Sequence, residues 1–278
     1  VEYLASEWGE REGTEPYGLD PVPRVDRVDE AVRYIRAAFD AAGSSFGFDG
    51  RYFSADHAVI DLPALWREYR RVLKPNGVVV LTAQGVFTAK LILSNEEWFK
   101  YKIVWEKSKP TNFLNAKKQP LRKHEDVCVF YAKAPTYNPQ MRPGAAYDKG
   151  VRKNQLSGSY GDFQPAHVRS DGGRYPADIV YFKTAESEPE RTVWHPTQKP
   201  VDLGRYLVRT FSNEGNLVLD NAFGSGSFLV SAAMENRKFV GIERNQEVHL
   251  FKNERIDYIE VAAQRLRRLG VSPALIRR

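Results

Sequence analysis

The stretch His195–Glu243, HPTQKPVDLGRYLVRTFSNEGNLVLDNAFGSGSFLVSAAMENRKFVGIE, decides the fold. It reads as a turn, a helix, a strand, a glycine loop, a second helix and a second strand that ends on an acid. Leu217-Val218-Leu219 is a short apolar run closed by Asp220, and Asn221 to Ser227 then lead into a helix starting near Phe228. A strand that feeds a glycine turn at a helix N-terminus is a nucleotide-type site. Glycines let the backbone approach a ligand, and the free N–H groups of the helix start offer it donors. Phe239-Val240-Gly241-Ile242 is a second buried-strand pattern, and Glu243 at its tip is placed to hold a ribose diol.

The loop is Gly224-Ser225-Gly226 and lacks the third glycine of the dinucleotide fingerprint, which argues against a pyrophosphate ligand. An acid before the loop, Asp220, and another after the next strand, Glu243, suit a ligand without phosphate, and S-adenosylmethionine is one. His195-Pro196-Thr197-Gln198-Lys199-Pro200, Leu217 to Asp220 and Phe223 to Ser227, in that order, resemble the cofactor motifs of the amino-methylating DNA methyltransferases. Their place at the C-terminal end resembles the β-class order, in which recognition and catalytic segments come first. The resemblance implies an α/β fold, a doubly wound and mostly parallel sheet of the S-adenosylmethionine-dependent methyltransferase type, with an irregular target-recognition insertion. It implies cofactor roles for Asp220, Phe223, Gly224, Ser225, Gly226 and Glu243, with His195, Thr197 and Lys199 near the methionine end and Phe223 covering the ligand.

The chain has 278 residues, enough for one large α/β domain with an insertion. Expected divisions are an N-terminal arm and helix over 1–55, a catalytic half over 56–132, the insertion over 133–192 and a cofactor half over 193–278. Lys and Arg total 41 against 35 Asp and Glu, a net charge of +6 that permits a nucleic-acid partner without requiring one. The one cysteine, Cys128, lies in the apolar run Val127 to Tyr131; it excludes an internal disulfide and fits a reducing cytoplasm. No apolar run reaches the length of a membrane span, and the N-terminus lacks the apolar core of a signal peptide, so a cytoplasmic protein without a membrane partner is expected.

Residues 1–26 are polar and rich in Pro and Gly and read as a loop or extended arm. Val28, Val32, Ile35 and Phe39 predict an amphipathic helix over 26–42. Leu65, Trp66, Tyr69 and Leu73 predict another over 62–73, closed by the Lys74-Pro75-Asn76-Gly77 turn and followed by the strand Val78 to Leu81. A helix begins near Thr88, and Tyr101 to Glu106 alternates as a strand. Lys107 to Asp126 reads as a basic loop with amides and an aromatic among its cations. Charge alone makes it a solvated loop. Its Lys-Pro-Thr-Asn-Phe and His-Glu-Asp-Val-Cys-Val-Phe-Tyr pieces resemble phage and bacterial adenine methyltransferases, which implies contacts to DNA from Lys107, Lys109, Asn112, Lys117, Lys118 and Arg122. Residues 133–192 lose apolar periodicity and interleave tyrosines with cations, including Arg152 and Lys153; target-DNA recognition and disorder until DNA binds are the two readings. Asp178 to Phe182 is a last short strand, the apolar face Ile256 to Leu266 a final helix, and Arg265 to Arg278 a solvated basic tail.

The β-class enzymes set an Asp/Ser-Pro-Pro-Tyr motif directly after a strand, where it accepts hydrogen bonds from the target amine and stacks on the flipped base. No Pro-Pro pair occurs in this chain. Asp49-Gly50-Arg51-Tyr52 keeps the acid, the aromatic and their spacing, which makes Asp49 and Tyr52 the catalytic candidates; Glu15-Pro16-Tyr17-Gly18 is a second, more distant match. Three readings of the gap stand: an N-terminus truncated or replaced ahead of Val1, a homologue that binds without turnover, or a variant site on Asp49 and Tyr52. The acid at the candidate position favours adenine N6 over cytosine N4. The expected assembly is a monomer or homodimer on double-stranded DNA with a flipped base, with a cognate restriction endonuclease as a possible partner and no metal ion. A catalytically degenerate DNA-binding protein and an RNA or small-molecule methyltransferase are the alternatives from other classes.

Overall fold

A computed structural model describes residues 2–5, 62–152, 165–189, 192–243, 250–251 and 254–274. The expected helix over 26–42, the candidates Asp49 and Tyr52, and Lys153 lie outside the described residues. Two compact units are present, one of residues 1–137 with 178–278 and one of residues Asn138–Ala177.

The larger unit is built on a seven-stranded sheet. Its strands in chain order are β1 (Glu2–Ala5), β2 (Val79–Ala83), β3 (Phe99–Thr111) and β4 (Arg122–Phe130), then, after four short strands of the smaller unit, β5 (Arg142–Pro143), β6 (Tyr147–Arg152), β7 (Ala166–Ser170) and β8 (Gly173–Arg174), come β9 (Ile179–Phe182), β10 (Leu217–Asp220) and β11 (Lys238–Gly241). Among the described residues the α-helices are α1 (Leu62–Val72), α2 (Val86–Leu93), α3 (Val201–Phe211), α4 (Ser227–Met234) and α5 (Tyr258–Arg267). The strand order is β11-β10-β1-β2-β4-β3-β9. Only β4 runs against the others, pairing antiparallel with both β2 and β3. The sheet is thus mostly parallel, as the apolar run at Val78 to Leu81 implies.

Both faces of the sheet are covered, and the side-chain alternation of β2 and β4 shows how. Val78, Val80, Val127 and Val129 point into one core with Leu203, Leu207, Val208 and Phe211 of α3 and Phe228 of α4. Val79, Leu81, Ala83, Cys128 and Phe130 point into the other, with Leu65, Trp66 and Tyr69 of α1 and Phe87 and Leu91 of α2. Successive strand residues face opposite ways, so a continuous apolar strand demands helices on both sides. On the first face α3 and α4 approach closely at Gly204, where an added Cβ would lie 2.2 Å from Ser231 Oγ.

Three expectations are corrected. Residues 2–5 form β1, a central strand paired with β10 and β2, rather than part of a loop or arm. A four-residue strand with neighbours on both sides needs no long apolar run, so polar surroundings hid it. The basic segment from Lys107 is half strand: β3 continues to Thr111, β4 starts at Arg122, and the ten residues 112–121, with a 3-10 turn at Phe113–Asn115, join them. Arg265 is not in a solvated tail but is buried within α5.

The smaller unit carries two antiparallel pairings where irregular chain is expected: β5 (Arg142–Pro143) with β8 (Gly173–Arg174), and β6 (Tyr147–Arg152) with β7 (Ala166–Ser170). Neither β6 nor β7 has a fully buried residue, which is why no alternating apolar pattern marks them.

Candidate functional site

The sheet changes direction of travel between β10 and β1. From β10 the chain passes through α4 to β11 on one side, while β1 is followed by β2 on the other. A crevice opens outside the carboxyl ends of such neighbouring strands, and ligands of open α/β sheets bind there. The glycine turn stands at that position.

Asp220, at the end of β10, is fully buried, and its Oδ1 accepts the Ala222 N–H at 3.3 Å. The β10–β11 ladder continues past both strands: Ile242 N–H donates to the Asp220 carbonyl at 2.9 Å and Phe223 N–H to the Ile242 carbonyl at 3.3 Å. That extension brings Glu243 beside the glycine turn, where Oε2 accepts the Gly224 N–H at 2.6 Å. Gly224 and Gly226 have φ of 52° and 78°, left-handed values that glycine adopts without strain. The His195 ring lies against the turn, 3.4 Å from where a Cβ on Gly224 would stand, which is ordinary contact distance. His195 Nδ1 accepts from Thr197 N–H at 3.2 Å and lies 2.9 Å from the Thr197 hydroxyl, and the ring packs on Tyr258 with centroids 4.9 Å apart. His195, Thr197, Gly224 and Glu243 are therefore in one neighbourhood, as the sequence pattern expects.

Two of the candidates sit differently. Phe223 packs with Leu229, Val230, Ala262 and Leu266 in a third apolar cluster, so its ring is a support beneath the turn. Lys199 is buried, its Nζ 2.9 Å from Glu125 Oε2 and 5.8 Å from the Trp105 ring centroid. Lys107 meets the same carboxylate, at 3.1 Å from Oε1, and is only 3% exposed, so it is not on the surface expected to face DNA. Burial alone would push the Glu125 carboxyl up; Lys199 and Lys107 outweigh it and hold the group below the usual carboxylate range.

Arg265 is the site residue that sequence reading missed. Its Nη1 donates to the Ser225 carbonyl at 2.8 Å, the Ser227 hydroxyl at 3.2 Å and the Ser225 hydroxyl at 3.4 Å. The side chain clamps the glycine turn to α5, and Ser225 and Ser227 are buried around it. Its position on the inner face with Ala262 and Leu266 was available in the helical spacing. Tyr69 of α1 makes a second tie to the turn, donating to Asn221 Oδ1 at 3.1 Å.

Of the other basic candidates, Lys109, Lys117, Lys118 and Arg152 are exposed. Asn112 takes a left-handed conformation at the β3–β4 tip, and Arg122 reaches Gln84 Oε1 at 3.3 Å. No described helix is long and apolar enough to cross a membrane.

Comparison with known proteins agrees with this geometry. The Type II methyltransferases M.BglII of Bacillus subtilis and M.HinfI of Haemophilus influenzae are 28% and 25% identical over 59% and 75% of this chain, and 41% and 52% of their own. M.HpaI of Haemophilus parainfluenzae is 27% identical over 72% of this chain and 56% of its own, so the chain spans about half the length of the curated relatives it matches. The crystal structure of the M1.HpyAVI-SAM complex shares the fold, with a TM-score of 0.53 and 20% identity over 85% of this chain and 96% of that one. The DNA methylase family profile matches residues 38–253, well over half of the sequence, and with the glycine turn and its acid in place the chain belongs to that family.

Proposed function

We propose that this chain binds S-adenosylmethionine at the glycine turn and takes part in methyl transfer to an exocyclic amine of a base in duplex DNA, with adenine N6 as the target. The observation that carries the reading is the Glu243 carboxylate held on the Gly224 N–H at the sheet's switch point. The residues present suit that ligand. An acid beside a bare glycine turn suits a ribose diol, and the start of α4, whose cap Gly226 lends no side chain, suits a carboxylate. When bound, S-adenosylmethionine supplies a methyl group activated by its sulfonium.

The chain's own residues have three tasks. Glu243 and the turn fix the ligand, while Arg265 and Phe223 keep the turn in shape from below. The target amine, whose lone pair is delocalised into the base, needs an acceptor for its protons and a ring to hold the base outside the duplex. Asp49 and Tyr52 are the proposed acceptor and stacking ring, and the acid is what favours adenine. Exposed Lys109, Lys117, Lys118 and Arg152, with Lys153, are the proposed phosphate contacts. The Type II names of the relatives support a restriction-modification setting with a cognate endonuclease.

Methyl-tritiated S-adenosylmethionine incubated with mixed unmethylated DNA, followed by nucleoside digestion, tests the reading. Label in N6-methyladenine supports it, and label in N4-methylcytosine corrects the base. A second reading is a homologue that binds without turnover. It predicts calorimetric binding of the ligand with no label in DNA.

A further inference from the structure

The turn between β3 and β4 exposes two neighbouring large apolar side chains. Phe113 is 75% and Leu114 84% exposed, so neither contributes to a core. Yet the turn that carries them is firmly built. Asn112 sits in the left-handed region, Asn115 N–H donates to the Asn112 carbonyl at 3.1 Å, and Asn115 Nδ2 donates to Asn112 Oδ1 at 2.8 Å. Ala116 N–H then closes on the Phe113 carbonyl at 3.1 Å and Lys118 N–H on the Asn115 carbonyl at 2.8 Å. The chain thus holds an aromatic and a leucine outward on a short 3-10 turn.

The surroundings select the partner. From Lys107 to Lys123 the sequence contains no acid, while Lys117 and Lys118 are exposed at the tip and Lys109, whose Nζ lies 3.9 Å from Glu186, is exposed near the end of β3. An apolar point ringed by cations and free of acids along its length complements a polyanion with an apolar interior, which describes stacked bases between phosphate backbones. Side chains such as Phe and Leu enter base steps as wedges, partly unstacking them and kinking the duplex. From this geometry we infer that Phe113 and Leu114 form a wedge inserted between base pairs of the duplex, with Lys109, Lys117 and Lys118 on the flanking phosphates. The inference rests on the proposed action on DNA and adds a means of opening the helix around the target base.

Fluorescence anisotropy with a short labelled duplex, matched or carrying one central mismatch, tests it on the full chain. A wedge binds the mismatched duplex more tightly, because that step is already unstacked. The Phe113→Ala/Leu114→Ala variant loses that preference and binds the matched duplex about tenfold more weakly, while its salt slope stays that of the parent. Lys117→Gln and Lys118→Gln do the reverse, each lowering the slope by about 0.9. An unchanged thermal midpoint in the double variant verifies that folding is intact. If the parent binds duplex DNA but the double variant matches it in affinity and mismatch preference, the wedge is wrong and the proposed function stands. If the parent binds no duplex, both fall together.

Discussion

Glutamine in place of Glu125 is the sharpest perturbation of the fold. One carboxylate there serves two buried ammonium groups, Lys107 at 3.1 Å and Lys199 at 2.9 Å, with the lysine side chains 4% and 5% exposed. The substitution keeps the shape, removes the charge, and turns an amide donor toward one ammonium. Breaking a buried ion pair from one side costs about 3–5 kcal/mol, because the remaining charge cannot regain water. For a domain of this size that lowers the melting temperature by roughly 6–20 °C. Arg267→Gln is the control: its pair with Glu260 is exposed on both sides, 48% and 36%, and contributes about 1 kcal/mol or less. The pH dependence follows from the depressed carboxyl. The stability it contributes is fully present above the ordinary value of 4.5 and is lost as pH falls through the folded value. The gap between parent and Glu125→Gln in chemical denaturation therefore narrows below about pH 4.5. Replacing all three residues by apolar ones of like volume restores most of the loss. A Glu125→Gln protein within about 1 kcal/mol of its parent at neutral pH would refute the argument.

Other perturbations separate ligand contact from support. Glu243→Ala removes the acid at the turn and weakens S-adenosylmethionine binding at least about tenfold by titration calorimetry; unchanged affinity would remove Glu243 from the site. Gly226→Ala meets both a φ of 78° and Ala262 Cβ at 2.6 Å, so denaturation should show a loss of about 2–4 kcal/mol. Glu188 is pushed up by burial although it accepts the Asp202 N–H at 3.0 Å at the start of α3. A raised carboxyl destabilises the folded state once pH passes its unfolded value, so Glu188→Gln, which keeps the acceptor, is at least as stable as the parent at neutral pH and gains relative to it as pH rises above the ordinary value of 4.5. Burial, then the Asp126 charge, pushes the Cys128 thiol up to about 12, and it reacts with thiol reagents only at the rate of unfolding.

The parts of this fold that announce themselves in sequence are those governed by local physics. Val78 to Leu81 reads as a doubly covered strand because each residue must face an apolar layer, and the cores on either side bear this out. The glycine turn reads as a ligand site because left-handed backbone and an uncapped helix start require those residues. What was not legible depends on partners distant in sequence. Arg265 looks like part of a basic tail until its hydrogen bonds to Ser225 and Ser227, about forty residues away, are known. β1 carries too few residues to show a period, and it is its neighbours that make it a strand.

Lys107 and Lys199 show the same limit with a functional consequence. The sequence places Lys107 with the cations of a DNA-facing loop and Lys199 in a cofactor motif, two charges for two ligands. In the fold both converge on Glu125, which is paired with Trp105 across the β3–β4 ladder. Lys199 immediately precedes Pro200 and α3, and His195 of the same turn lies against Gly224. A charge cluster out of water is rigid, since moving one member strands the others. The Glu125 cluster therefore fastens the segment that touches the glycine turn to the root of the hairpin whose tip carries Phe113 and Leu114. A ligand at the turn and a duplex at the tip would be held in fixed register by β3 and β4. The proposed ligand turn and the proposed wedge follow β10 and β3, strands that run parallel and so end on the same side of the sheet, and the residues that join them are the ones whose charges look most available for ligands.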